Sequence, residues 1–397
     1  MKKKIVSVLL AATLAVMSLA GCGNQASDKT STAEGKNEVE AEEGTFLIGG
    51  IGPVTGELAI YGMAERNGAQ IAVDEINEAG GVNGTKLTFN FQDDEGDAEK
   101  SVNAYNNLKD WGMQILCGTV TSTPCIAVAA KSSQDNLFQI TPSGSAADCI
   151  GPDNAFRVCF SDPDQGTKSA EYIGENKLAK KVAIIYDSSD VYSSGITDKF
   201  VKEAEEQDFE IVAKEAFTAD NKTDFSVQIK KAQSEGADLV FLPIYYSQAA
   251  LILQQANSLG FETTFFGCDG LDGILGVENF DQKLAEGVML LTPFAADATD
   301  ELTKNFVAKY KEEYGEVPNQ FAADGYDAIY AIAAALEKGE CKPDMSVSDI
   351  CEAMKKAMTE ISIEGLTGEK ITWDESGAPD KEAKAVVIKD GAYSLME

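Results

Sequence analysis

The 397-residue chain carries 33 basic against 65 acidic side chains, a net charge of −32, and no histidine. So acidic a protein repels polyphosphate, which excludes nucleic acid as a partner. The missing imidazole excludes Ser-His-Asp and Cys-His catalysis and any histidine-ligated metal, and no paired acid and base stands out, so an enzyme is not expected.

In chain order, Met1-Lys2-Lys3-Lys4 leads into the apolar run Ile5 to Ala20 and the string Leu19-Ala20-Gly21-Cys22. A charged start, a short apolar stretch and small residues at a cleavage point form an export signal over residues 1–21, and the run is shorter than the roughly 20 apolar residues of a membrane span. The string resembles the lipobox of bacterial lipoproteins, which implies Cys22 as a lipid anchor on the outer face of the cell membrane. Cleavage would remove three lysines and no acid, taking −32 to −35. Residues 22–44 are polar and acidic, with too little apolar surface for a core, and read as a flexible tether on the order of 25 Å long.

From Thr45 onward, short β-branched runs alternate with longer helical-period segments. The runs predict strands over Thr45–Ile51, Lys86–Gln92, Gln114–Gly118, Leu137–Thr141, Lys181–Asp187, Phe209–Glu215, Ala237–Ile244, Thr263–Asp269 and Gly287–Thr292. The segments predict helices over Gly62–Ala79, Ala98–Lys109, Pro124–Gln134, Gln165–Asn176, Gly195–Gln207, Phe225–Ser234, Ser247–Leu259, Asp300–Tyr314 and Gly325–Leu336. This rhythm implies parallel sheets covered on both faces, and about 350 folded residues exceed what one core usually holds.

Seven cysteines follow Cys22. Cys149 with Cys159, and Cys341 with Cys351, are the local disulfide candidates, with buried reduced thiols as the alternative. No CxxC pair occurs, and Asp93-Asp94-Glu95-Gly96-Asp97 places Phe91 where a calcium loop needs its first ligand, so the acids read as a helix start. No metal and no cofactor is expected.

Ligands of open parallel sheets sit beyond the carboxyl ends of the strands. After the strand ending at Gly118 comes Thr119-Val120-Thr121-Ser122-Thr123-Pro124, a helix start whose N–H groups favour an anion. After the strand ending at Thr141 comes Pro142-Ser143-Gly144-Ser145-Ala146, a second hydroxyl-rich turn. Each turn alone reads as plain capping, whereas the two together suggest a clamp for a carboxylate. Gly267-Cys268-Asp269-Gly270 places one acid on a tight turn that suits an ammonium.

These residues resemble the type I periplasmic binding proteins of the branched-chain amino acid importer class. The resemblance runs from about Thr45 to Ser376 and rests on Ile48–Thr55 (IGGIGPVT), Tyr61-Gly62, Ala69–Gly84 (AQIAVDEINEAGGVNG), Asp93-Asp94, the Gly118–Thr123 turn, Tyr186-Asp187, Asp224-Phe225 and Gly325–Ala328. It implies an α/β fold of two Rossmann-like lobes with parallel central sheets joined by a three-segment hinge. It divides the chain into 45–161 with 292–364 as the N-terminal lobe and 162–291 with 365–397 as the C-terminal lobe, crossing near Ser161, Leu291 and Gly365. It implies an amino acid whose carboxylate meets Ser122, Ser143 and Ser145, whose ammonium meets Asp269 with help from Tyr192, and whose remainder is lined by Tyr61, Tyr245 and Phe321, with Thr123 also among the ligand-binding residues. The loop from Asp187 to Tyr192 is one residue longer than the family pattern, and Thr121 stands where the family commonly has a disulfide cysteine. The implied partners are an ABC permease with its ATPase, for a monomeric receptor; a ligand-sensing ectodomain or a receptor for another small carboxylate or amide is the alternative.

Overall fold

The computed structural model describes residues 39–381 and 383–396. The first half of the folded body runs β1 (Phe46–Gly52), α1 (Ala59–Glu78), β2 (Leu87–Asp93), α2 (Ala98–Trp111), β3 (Ile115–Gly118), α3 (Ser122–Asp135), β4 (Phe138–Thr141) and β5 (Ala155–Arg157). These strands form one sheet in the order β2-β1-β3-β4-β5, every neighbouring pair parallel. Residues such as Ile48, Ile115, Phe138 and Ile140 are fully buried, as a sheet covered by helices on both faces requires.

The chain continues through α4 (Asp162–Glu175), β6 (Lys181–Asp187), α5 (Val191–Ala204), β7 (Glu210–Phe217), α6 (Ser226–Ser234), β8 (Leu239–Leu242), α7 (Tyr246–Ser258), β9 (Thr264–Gly267) and β10 (Met289–Thr292). It then forms α8 (Glu301–Tyr314), α9 (Gln320–Lys338), α10 (Val347–Met358), β11 (Ile363–Gly365), β12 (Gly368–Trp373), β13 (Pro379–Asp380), β14 (Lys384–Lys389) and β15 (Ala392–Leu395). The second sheet is ordered β15-β14-β10-β9-β8-β6-β7; its β7 to β10 portion is parallel, while β14 and β15 add antiparallel to one edge. That hairpin lies outside the expected strands. It turns at Asp390-Gly391, both with positive φ (51° and 75°), as a two-residue primed turn requires.

One further departure has a local cause. Helix α10 was not expected, although Ser346 caps it by accepting the Asp349 N–H, a Ser-x-x-acid start. The acids after β2 begin the next helix as the sequence suggested: Asp97 caps α2 through the Glu99 and Lys100 N–H groups, while Asp93 accepts from Val54 N.

The third passage between sheets lies later than Gly365. The small antiparallel sheet β11-β12-β13 stays with the first sheet, because Trp373 Nε1 donates to Arg157 O at 2.7 Å and Arg157 N donates to Gly377 O at 3.1 Å. The chain joins the second sheet again at β14, so the crossing falls between Asp380 and Lys384. At the near end of the expected tether, Val39 O accepts from Trp111 Nε1, so the stretch just before β1 is tied to the body.

Helices α1 and α9 cross with their backbones in contact. A Cβ on Gly68 would lie 1.9 Å from Ala322 O, and one on Gly325 would lie 2.4 Å from Glu65 O. The two glycines admit this approach, which carries Tyr61 and Phe321 to the same place.

Candidate functional site

Beyond the carboxyl ends of β3 and β4, two turns are laced together. Thr141 Oγ1 donates to Thr119 O at 2.6 Å and accepts the Gly144 N–H at 2.8 Å, while Ser122 Oγ accepts the Ala146 N–H at 3.1 Å. Thr121 is extended (φ −108°, ψ 153°) and ends the turn as the residue before α3, which begins at Ser122. A helix amino terminus presents N–H groups and the positive end of its dipole. Behind the second turn, buried Arg157 donates through Nη1 to Ser145 O at 2.6 Å and to Ala146 O at 3.3 Å, which adds positive charge to the same region.

Facing these turns, Asp269 follows β9 and is buried. Tyr192, in the first turn of α5, donates to Asp269 Oδ1 at 2.6 Å, and Gln165 of α4 donates to Oδ2 at 3.0 Å. Burial raises the Asp269 carboxyl to about 6, against the lowering pull of Tyr192, the Gly270 N–H, Gln165 and Gln320. Burial and the neighbouring Asp269 push the Tyr192 phenol well above its usual value, so it stays a neutral donor. A second acid, Asp162 at the start of α4, is buried beside Ser145, and burial raises its carboxyl strongly.

Aromatic rings close the space between the two sets. Tyr61 of α1 packs on Phe321 with ring centroids 4.1 Å apart and edge-on to Tyr246 at 4.7 Å, and Tyr192 stacks on Tyr245 at 4.8 Å. Tyr61 Oη donates to Gly270 O and accepts the Tyr246 N–H at 3.2 Å, so this phenol joins α1 to the turn after β9 and to the start of α7. Desolvation keeps it un-ionised.

One narrow cavity is lined by Tyr61, Ser122, Ser143, Ser145, Tyr192, Tyr245, Asp269 and Phe321, joined by Val120, Thr121 and Gly270. Its walls close on one another, leaving free room of only about 10 Å³, about that of one water. Thr123 departs from the expectation: it is exposed, because one residue past Ser122 the helix has turned by about 100° and carries the side chain away. Thr121 was missed as a site residue. Its Oγ1 is buried and has no hydrogen-bond partner among the described residues, and a hydroxyl at a helix start was the signal available. Gln165 was missed as well, since nothing local connects it to Asp269, 104 residues away.

Of the two readings of the cysteines, the buried thiols hold, and neither candidate disulfide is formed. Cys117, Cys125, Cys149, Cys159, Cys268, Cys341 and Cys351 are all free and buried, packing as small apolar side chains. Cys22 lies outside the described residues. Among the described residues, no helix is long and apolar enough to cross a membrane, and no cluster of metal-ligating side chains occurs.

Comparison with known proteins places these features in a family. Residues 45–392 match the model of the periplasmic binding proteins. The Leu/Ile/Val-binding protein BraC3 of Rhizobium johnstonii is 30% identical over 339 residues, covering 84% of this chain and 88% of the relative. The leucine-, isoleucine-, valine-, threonine- and alanine-binding protein of Pseudomonas aeruginosa is 29% identical, covering 84% and 87%. The structure of the branched-chain amino acid transporter substrate-binding protein LivJ from Streptococcus pneumoniae, in complex with isoleucine, superposes with a TM-score of 0.80 at 28% identity, covering 89% of this chain and 99% of that one. With the family match spanning the folded body and the two-sheet architecture shared with LivJ, this chain belongs to the periplasmic binding protein family.

Proposed function

We propose that the protein is the extracytoplasmic substrate-binding component of an ABC importer, capturing a branched-chain or similar amino acid and delivering it to a permease with its ATPase. The observation that carries this reading is the polarity of the cavity. Ser122, Thr121, Ser145 and a helix amino terminus lie on one side, and the Asp269 carboxylate lies on the other. A free α-amino acid presents the complementary pair of charges, and the rings of Tyr61, Tyr245 and Phe321 suit an apolar side chain. The names of the BraC3, Pseudomonas and LivJ relatives support the branched-chain class.

In this reading the first sheet, with residues 45–161 and 292–380, forms one lobe, and the second, with 162–291 and the residues after Asp380, forms the other. A ligand held by both lobes binds only their closed arrangement and shifts the population toward it, so the protein works by differential affinity and performs no catalysis. The receptor acts as a monomer, held to the outer face of the membrane through a lipid on Cys22. Mass spectrometry of the mature amino terminus should find acylated Cys22, and an unmodified start elsewhere would remove that part of the reading.

The test of the function is a thermal-shift screen over the amino acids and small carboxylates, followed by calorimetry. Ligand that binds only the folded state raises the melting temperature, by a margin that grows with concentration over Kd. Leucine, isoleucine or valine should give the largest shifts, and a screen in which no amino acid stabilises the protein would refute the reading.

A further inference from the structure

Glu65 is the least explained group beside the cavity. It lies on α1, fully buried, and its Oε2 is 2.9 Å from Ser143 Oγ. The same Ser143 Oγ is 2.7 Å from the Val120 carbonyl oxygen. A hydroxyl has one proton, and a carbonyl can only accept. If Glu65 were ionised, two pure acceptors would crowd one donor, and one close oxygen pair would have no proton between its members.

The surroundings argue the same way. Asp324 of α9, Asp94 after β2, Cys125 of α3 and Cys117 of β3 lie within electrostatic reach of Glu65, and Lys381 lies 3.8 Å from Asp324. Oε1 of Glu65 is buried and has no hydrogen-bond partner among the described residues, a position a charged oxygen tolerates poorly and a neutral carbonyl oxygen tolerates better.

We infer that Glu65 is a neutral carboxylic acid that donates its proton to Ser143 Oγ, so that Ser143 gives its own proton to Val120 O and ties α1 to both hydroxyl-bearing turns. Glu65 is then a positioning residue for those turns. Ser143 becomes a brace, and donation to a ligand carboxylate falls to Ser122 and Thr121. Its effect on affinity rests on the reading of the cavity as an amino acid site; its protonation does not.

The experiment compares the parent with Glu65→Gln and Glu65→Ala. Infrared difference spectra of the ligand-free proteins at pH 7 report the carbonyl stretch of a protonated carboxylic acid, and calorimetry with L-leucine reports affinity. Glutamine keeps a donor at the same place, so Glu65→Gln should lose the acid band yet bind within about threefold of the parent, whereas Glu65→Ala should bind about tenfold more weakly or worse. An acid band unchanged in Glu65→Gln, or a folded Glu65→Gln as weak as Glu65→Ala, overturns the inference. If Glu65→Ala fails to fold, the band and the affinity of Glu65→Gln still decide. A parent that binds no leucine counts against the amino acid reading, and the infrared band still decides the proton.

Discussion

Tyr192 Oη donates to Asp269 Oδ1 at 2.6 Å and accepts the Gly270 N–H at 2.9 Å, so one phenol fixes both the acid and the backbone of the residue after it. Gln165 repeats the pattern on the other side, donating to Asp269 Oδ2 and accepting the Asp269 N–H at 3.2 Å. The carboxylate is therefore held by the protein's own groups, and binding does not have to restrict its rotation.

Asp269→Asn should leave the fold intact while weakening amino acid binding by about ten- to a hundredfold, since it removes a charge-assisted hydrogen bond of roughly 1.5–3 kcal/mol. Calorimetry checks this. An unchanged affinity would remove the ammonium role of Asp269.

Acid should act on affinity and on stability with opposite signs. Asp269 must be ionised to hold an ammonium, and burial raises its carboxyl to about 6. Below that pH, protonation competes with ligand, and affinity should fall by up to about tenfold per pH unit. For the ligand-free protein, burial above all raises Asp94, Asp190, Asp269 and Asp272 from the ordinary 3.8 to about 6 in the fold. The folded state therefore binds more protons between those values, and stability is lost as pH rises through 6. The melting temperature without ligand should rise from pH 7 to pH 5, and calorimetric scans at each pH test both signs.

Tyr61→Phe keeps the ring that packs on Phe321 but removes the hydroxyl shared by Gly270 O and Tyr246 N. A buried Tyr246 N–H is then left unserved, which costs about 1–3 kcal/mol. If the two lobes close as proposed, much of that loss falls on the closed state. Affinity for leucine should drop several-fold more than the melting temperature alone would suggest.

Gly68→Ala tests the helix crossing rather than the site. Its Cβ would fall 1.9 Å from Ala322 O, so α1 and α9 must separate. Overpacking of this kind costs about 1–3 kcal/mol, measurable by urea denaturation. Because Tyr61 and Phe321 ride on those helices, weaker ligand binding should accompany the loss.

The alternation of strand and helix, and with it the parallel sheets, was legible in the residue order, since apolar β-branched runs and 3.6-residue stripes are local properties of the chain. The residue order also singled out Ser122, Ser145 and Asp269, because helix starts and glycine turns after strands carry recognisable residue types. The β14–β15 hairpin had a local signal at Asp390-Gly391 but little alternation around it. Only the packing of the whole chain brings these turns to one cavity, sets Gln165 against Asp269, and leaves the seven thiols free. Such facts join residues up to a hundred or more positions distant. They depend on how close α1 and α9 approach and where each chain crossing falls, which packing sets and no local pattern encodes.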